Sequence, residues 1–216
     1  MVQAVLFDLD GTLLNSEPMV IECFKEVFKT FGRIEDFTED RQLEGFGPPL
    51  VEEMAKFFPD QDPEELTAWY RRYQGEFYDE SRVQLMDGAK EMIVELSERY
   101  PLAVVSSRTT DSCIKWLERF GIRDCFTLVY GQGCFEKPKP DPEGILKACG
   151  DMQADPLKCV YMGDNASDAL AANSAGCTSV IFLSNEKKRS DVEEADPDYV
   201  IMHVSELKNI LEELEK

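Results

Sequence analysis

Gln3-Ala4-Val5-Leu6-Phe7-Asp8-Leu9-Asp10-Gly11-Thr12 is the stretch that decides the fold. Its apolar run is too short for a buried helix and ends in β-formers, so it reads as a strand covered on both faces. The run then breaks on two carboxylates and a glycine, which favour a turn. Similar short runs stand at 102–105 (LAVV), 126–130 (FTLVY), 158–162 (KCVYM), 178–183 (TSVIFL) and 199–202 (YVIM). Helical patterns lie between them. Ala89, Met92, Ile93 and Leu96 recur at i, i+3, i+4 and i+7, as do Leu207, Ile210, Leu211 and Leu214. Asp141-Pro142-Glu143 offers an N-cap and a first-turn proline ahead of Ile145, Leu146 and Cys149. Strands alternating with helices predict an α/β fold built on a mainly parallel sheet.

One stretch departs from the alternation. Between about 16 and 84 only helical patterns are visible, with Val20, Phe24, Val27, Phe28 and Phe31 on one stripe and Leu66, Trp69, Tyr70, Tyr73 and Phe77 on another. Both stripes are expected to be core, as such faces usually are. Gly45-Phe46-Gly47-Pro48-Pro49 interrupts them with tight-turn residues. The expected organisation is a catalytic core of residues 1–15 and 85–216, with an inserted all-helical cap of residues 16–84.

Composition narrows the partners. The 216 residues carry a formal net charge of −20, which disfavours nucleic acid and anionic membranes, both of which are held through Lys and Arg. No apolar run approaches the 18 or so residues that span a bilayer, and the N-terminus shows no signal-peptide pattern, so a cytoplasmic protein is expected. Seven cysteines without a Cys-x-x-Cys pair read as reduced, mostly buried small hydrophobes. The single histidine, His203, is distant from any acid or cysteine cluster and reads as an ordinary surface residue.

The residues just beyond each strand carry the chemistry, because ligands of open parallel sheets bind outside the carboxyl ends. The first strand leads into Asp8 and Asp10, and the second into Ser106-Ser107-Arg108. Lys137-Pro138-Lys139-Pro140 comes after the third, and Gly163-Asp164 with Asp168 after the fourth. Each group alone has an ordinary reading as a turn former, cap or solvated loop residue. Their conjunction at four strand ends points instead to one site. Two carboxylates about 4 Å apart repel by roughly 4 kcal/mol at an effective dielectric near 20, so such a gathering needs a cation. A hard, oxygen-only set suits Mg²⁺, which also binds substrate phosphate. Asp10, protonated, would serve as a general acid.

Asp8-Leu9-Asp10-Gly11-Thr12, Ser106, Lys137 and Gly163-Asp164-x-x-x-Asp168 resemble the four motifs of the haloacid dehalogenase superfamily in order and spacing. A helical insertion after the first strand strengthens the resemblance, which covers essentially the whole chain. It implies a Rossmann-like core and phosphoryl-transfer chemistry. Asp8 would be the nucleophile forming an aspartyl-phosphate, and Asp10 the general acid and then the base for water. Ser106 would hold the transferring phosphoryl group, and Lys137 would neutralise it and orient Asp8. Asp8, the Asp10 carbonyl and Asp164 would bind Mg²⁺, with Asp168 either a ligand or the partner of one.

Within the superfamily, Asp10 and the metal-type carboxylates disfavour a dehalogenase. Met19-Val20 and Pro48 stand where similar β-phosphoglucomutases carry a histidine and a basic residue. The expectation is a Mg²⁺-dependent phosphatase of the phosphoglycolate phosphatase-like subfamily, hydrolysing a small phosphomonoester. Inorganic pyrophosphatase of the same family is an alternative, since Gly45-Phe46-Gly47-Pro48-Pro49 also resembles the cap loop of that group. A non-catalytic, receiver-like switch phosphorylated on Asp8 is another. Substrate contacts are expected from Ser107, Arg108, Gly45, Phe46 and Gly47, with Arg41, Arg108 and Lys139 as candidates for a second anionic contact. The expected partner is a small phosphorylated metabolite, and the expected state a monomer or weak homodimer.

Overall fold

The computed structural model describes residues 1–44, 49–78 and 80–216. They form two compact units, Met1–Leu14 with Leu85–Lys216, and Asn15–Gln84. In chain order β1 (Ala4–Phe7) and β2 (Leu14–Asn15) precede α1 (Glu17–Thr30), α2 (Glu39–Glu44), α3 (Leu50–Phe57), α4 (Pro63–Glu76) and β3 (Gln84–Leu85). Next come α5 (Ala89–Ser97), β4 (Leu102–Thr109), α6 (Thr110–Arg119), β5 (Leu128–Gln132), α7 (Glu143–Asp151) and β6 (Cys159–Gly163). The chain ends with α8 (Ala166–Ala175), β7 (Thr178–Phe182), α9 (Arg189–Glu194), β8 (Tyr199–Ile201) and α10 (Leu207–Leu214). β2 and β3 pair with each other as a ribbon too short to leave a periodic trace in the sequence.

The larger unit is a six-stranded parallel sheet in the order β5-β4-β1-β6-β7-β8. β1 lies in the interior, with Phe7 level with Val104 of β4 and Met162 of β6. All four β1 residues are buried, as a strand covered on both faces requires. Ala4 and Leu6 pack with Ile145 and Cys149 of α7, Ala171 and Ala172 of α8, and Tyr161 of β6. Elsewhere Phe7 meets the Phe126 ring edge-on, with ring centroids 6.2 Å apart. The apolar positions expected on α5 are the ones buried, and all seven cysteines are free thiols, five of them buried.

β4 departs from expectation by running on to Thr109, so that Ser106-Ser107-Arg108 lie inside it. Val105 pairs with Tyr130 and Thr109 with Gln132, so four steps on β4 face two on β5. The extra residues bulge, and a bulge re-aims side chains out of the ladder. Gly131 makes room, because a Cβ there would overlap the Arg108 and Thr110 backbone.

The smaller unit is helical and held by aromatic rings. Phe24 and Phe28 of α1 meet Phe57, Phe58 and Tyr70, with centroids 4.8 to 5.7 Å apart. Asp62 caps α4 by accepting the Glu64 amide at 2.9 Å. Its second stripe splits. Leu66 and Tyr70 are buried, whereas Trp69, Tyr73 and Phe77 stack in a ladder along the helix and Phe77 is 68% exposed. The expectation that the whole stripe is core is therefore corrected. Positions 69, 73 and 77 lie at i, i+4 spacing, one step off the buried line, and find partners in each other. No described helix is long and apolar enough to cross a membrane.

Leu6 tests the core. Leu6→Ala should cost about 2–5 kcal/mol in urea unfolding, because the surrounding sheet cannot collapse into the space.

Candidate active site

β1, β4 and β6 are adjacent, and each presents a polar group at its carboxyl end. Asp8 follows β1, where its amide donates to the Met162 carbonyl at 2.9 Å and extends the ladder by one residue. Ser106 sits in the β4 bulge and Asp164 directly follows β6. Asp168 is in the first turn of α8, where one carboxyl oxygen accepts the amides of Asp164 and Asn165, each at 3.1 Å. That brings Asp8, Asp164 and Asp168 together, with oxygens within 4.8 Å of one another. All three are buried.

Buried carboxylates demand buried positive charge. Lys139 supplies it. Its ammonium donates to Asp8 Oδ1 at 2.8 Å, Asp168 Oδ1 at 2.5 Å and the Tyr161 hydroxyl at 3.0 Å. Tyr161, fully buried on β6, donates to the Val105 carbonyl at 3.2 Å and so ties Lys139 to β4 as well. Lys188 supplies a second ammonium, 2.6 Å from Asp164 Oδ2.

The charges leave a surplus, three carboxylates against two ammonium groups. Burial, the largest influence, lifts the Asp8 carboxyl to about 7; Lys139 opposes the rise while Asp168 and Asp164 add to it. Burial likewise raises Asp164, against the pull of Lys188. For Lys139 burial acts downward, yet Asp168 and Asp8 outweigh it and hold the ammonium well above its ordinary range. The ion pair between Lys139 and Asp8 and the raised Asp8 carboxyl are compatible because the cluster carries one negative charge too many.

Lys137, expected beside Asp8, is not there. It is exposed and pairs loosely with Asp141 at 3.6 Å. The amides of Glu136 and Lys137 donate to the Glu143 carboxylate at 2.9 and 3.0 Å, which pins this segment over the start of α7. A turn closed by the Asp141 amide on the Pro138 carbonyl, at 3.0 Å, then carries Lys139 inward. Both Lys137-Pro138-Lys139-Pro140 and Lys139-Pro140-Asp141-Pro142 read Lys-Pro-x-Pro, so the pattern alone is ambiguous. What separates them is the anchoring of the segment by Glu143, which only the folded chain shows. Lys139 is equally excluded as an outer anionic contact, since its ammonium is engaged inside the cluster.

Asp10 and Arg108 also pair differently from expectation. Arg108 donates to both Asp10 oxygens at 2.7 Å, and to Ser112 Oγ at 3.0 Å. The guanidinium is thus engaged by protein, not extended toward a substrate rim. Ser106 Oγ accepts the Arg108 amide at 3.3 Å and is buried, while Ser107 is half-buried next to it. Arg41 lies over the Phe57 ring at 5.5 Å in the helical unit. Gly45, Phe46, Gly47 and Pro48 lie outside the described residues. Lys188 and Tyr161 were missed by the sequence reading: one stands in a charged loop, the other inside an apolar run.

The carboxylate cluster fits a hard divalent cation. Its donors are all oxygen, it carries surplus negative charge, and its rim is kept open by Gly11. Gly11 has φ 79°, and a Cβ there would overlap the Asp164 carboxyl group. Any larger residue would fill the space beside that carboxyl group.

Comparison with known proteins identifies the family. The family profile described as Haloacid dehalogenase-like hydrolase matches residues 5–182. Pyrophosphatase PpaX of Halalkalibacterium halodurans is 30% identical over 211 residues, covering 97% of both chains. A haloacid dehalogenase-like family hydrolase from Streptococcus pneumoniae superposes with a TM-score of 0.83 at 24% identity, covering 97% of this chain and 98% of that one. A predicted phosphoglycolate phosphatase from Haemophilus somnus gives 0.80 at 24% identity, with the same coverage.

Two measurements check the electrostatics. Lys139→Met should cost about 3–5 kcal/mol in metal-free urea unfolding, because it strands buried carboxylates. Lys137→Ala should change stability by less than about 1 kcal/mol, as for an exposed pair. The second concerns pH. Folded Asp8 keeps a proton that the unfolded chain releases near pH 4, so metal-free stability should fall as pH rises from there through about 7. Asp8→Asn should flatten the slope of urea midpoint against pH; an unchanged slope places the proton elsewhere.

Proposed function

We propose that this chain, which belongs to the haloacid dehalogenase-like hydrolase family, is a Mg²⁺-dependent phosphatase that hydrolyses a small phosphomonoester through an aspartyl-phosphate on Asp8. One observation carries the reading. Asp8 is buried at the end of an interior strand, fixed by Lys139 through one oxygen, and clustered with Asp164 and Asp168 from neighbouring elements. A carboxylate placed only to stabilise a fold needs one partner, not a rim of acids around it.

Asp8, Asp164 and the Asp10 carbonyl would hold Mg²⁺. When bound, the ion would offset the surplus carboxylate and the charge on the transferring phosphoryl oxygens. Lys139 holds Asp8 Oδ1, which leaves the other oxygen to attack phosphorus. As the Asp8–phosphorus bond forms, the bond to the leaving oxygen breaks, and that oxygen takes a proton from Asp10. A water molecule then attacks phosphorus and gives its proton to Asp10, the Asp8–phosphorus bond breaks, and inorganic phosphate leaves. Arg108 holds Asp10 as a carboxylate, the form required of the base in the second step. The acid step requires Asp10 to let go of Arg108 and carry a proton. Ser106, buried in the β4 bulge, is suited to hold the transferring group by its hydroxyl, while Asp168 fixes Lys139 and the Asp164 amide. Phosphoryl transfer asks for this kind of alignment and charge balance above all.

Small substrates match the reading, since the surface charge of −20 repels large polyanions. Phosphoglycolate heads the set. Pyrophosphate, with phosphate as its leaving group, belongs beside it because curated relatives are named pyrophosphatases.

Phosphate release from phosphoglycolate, pyrophosphate, sugar phosphates and nucleoside monophosphates, each with Mg²⁺, tests the proposal. Asp8→Asn and Lys139→Ala should lose at least about 10³-fold in kcat, while Lys137→Ala stays within about twofold of wild type. Equal turnover by Asp8→Asn and wild type removes Asp8 from its role. A stable phosphoprotein without turnover favours the receiver-like switch.

A further inference from the structure

An ammonium has three N–H bonds, and among the described residues three groups accept those of Lys139. They are Asp8 Oδ1 at 2.8 Å, Asp168 Oδ1 at 2.5 Å and the Tyr161 hydroxyl at 3.0 Å. A point charge on a flexible four-carbon stem settles where its acceptors put it. Two of the three are carboxylates, which attract it by charge. The third is neutral, so what it contributes is direction.

Tyr161 is a rigid acceptor. It is fully buried on β6, level with Leu6 of β1. Its hydroxyl lies 3.2 Å from the Val105 carbonyl on β4 and 3.2 Å from Asp168 Oδ1, and its single proton goes to one of these oxygens. Lys139 can only donate, so the hydroxyl receives its N–H on a lone pair. Without that hydroxyl the third N–H needs another acceptor. Asp168 Oδ2 is taken by the amides of Asp164 and Asn165. No described residue donates to Asp8 Oδ2, which is therefore the open acceptor on the two carboxylates that Lys139 touches. That oxygen is the one assigned to attack phosphorus.

We propose that Tyr161 is a positioning residue for the reaction: by accepting the third Lys139 N–H it keeps the ammonium off Asp8 Oδ2 and leaves that oxygen's lone pairs to phosphorus. The inference rests on the proposed role of Asp8 as nucleophile. Tyr161 acts through Lys139, not on the substrate. A charge-assisted hydrogen bond to the attacking oxygen would compete with the bond to phosphorus, and the neutral hydroxyl prevents it.

Tyr161→Phe removes the acceptor and keeps the ring, whose centroid is 5.7 Å from the ammonium. The probe is p-nitrophenyl phosphate with Mg²⁺, because its leaving group departs without a proton and kcat/KM then reads the attack by Asp8. Tyr161→Phe should lower kcat/KM about tenfold or more, as a small misplacement of a reacting group does. The fraction of enzyme trapped as phosphoprotein by acid quench should fall with it. Inhibition by inorganic phosphate, which calls on no attack, should stay within about twofold of wild type. In a Lys139→Ala background the same substitution should change kcat/KM by less than about twofold, since residues that act as a unit are not additive. A merely structural role would weaken phosphate inhibition and cost activity in both backgrounds. Unchanged kcat/KM, or an equal loss with and without Lys139, overturns the positioning role alone. Wild-type turnover by Asp8→Asn overturns the nucleophile reading beneath it.

Discussion

Three carboxylates can be buried side by side only if positive charge is buried with them, and the Lys139 ammonium meets that need here. It bonds Asp8 and Asp168 at once and rests on the Tyr161 hydroxyl, so one side chain joins the end of β1, the interior of β6 and the first turn of α8. Removing any partner leaves another uncompensated, which is the costly case for buried ions. The site is thus a single electrostatic unit, and its geometry is inherited from the register of the sheet.

α8 shows how packing serves that unit. Its buried face is Ala169, Ala171, Ala172 and Ala175, small enough for the helix to lie close against the sheet. Close approach brings Asp168 within reach of Lys139, while the Asp164 and Asn165 amides at the helix start are satisfied by the same carboxylate. A helix N-terminus favours negative charge on its own account. The β4 bulge lies on the other side, and from it Arg108 reaches both Asp10 oxygens.

Around the cluster stand two ion pairs of different kinds. Arg108 grips Asp10 with two parallel hydrogen bonds, a geometry that fixes direction as well as charge. Lys188 places its ammonium 2.6 Å from Asp164 Oδ2. The first suits a group that must be aimed, and the second adds a buried positive charge beside the acids.

How much of this was legible in the sequence depends on where each signal resides. The strands of the sheet begin within two residues of the apolar runs that announced them, because burial on both faces is written directly into composition. Asp8, Asp10, Ser106, Asp164 and Asp168 were visible as polar groups at strand ends, a position that any open parallel sheet turns into a rim. Lys139 was not distinguished from Lys137, since both precede a proline and only the anchoring of Glu143 decides which one turns inward. Tyr161 looked like one more apolar strand residue, and Lys188 like one charge among many in a loop. Local pattern determined the sheet and which acids line its edge. Which cations neutralise those acids was settled only by the folded chain, because a charge pair between residues 24 to 131 positions apart depends on distance in space, and nothing in the local sequence encodes it.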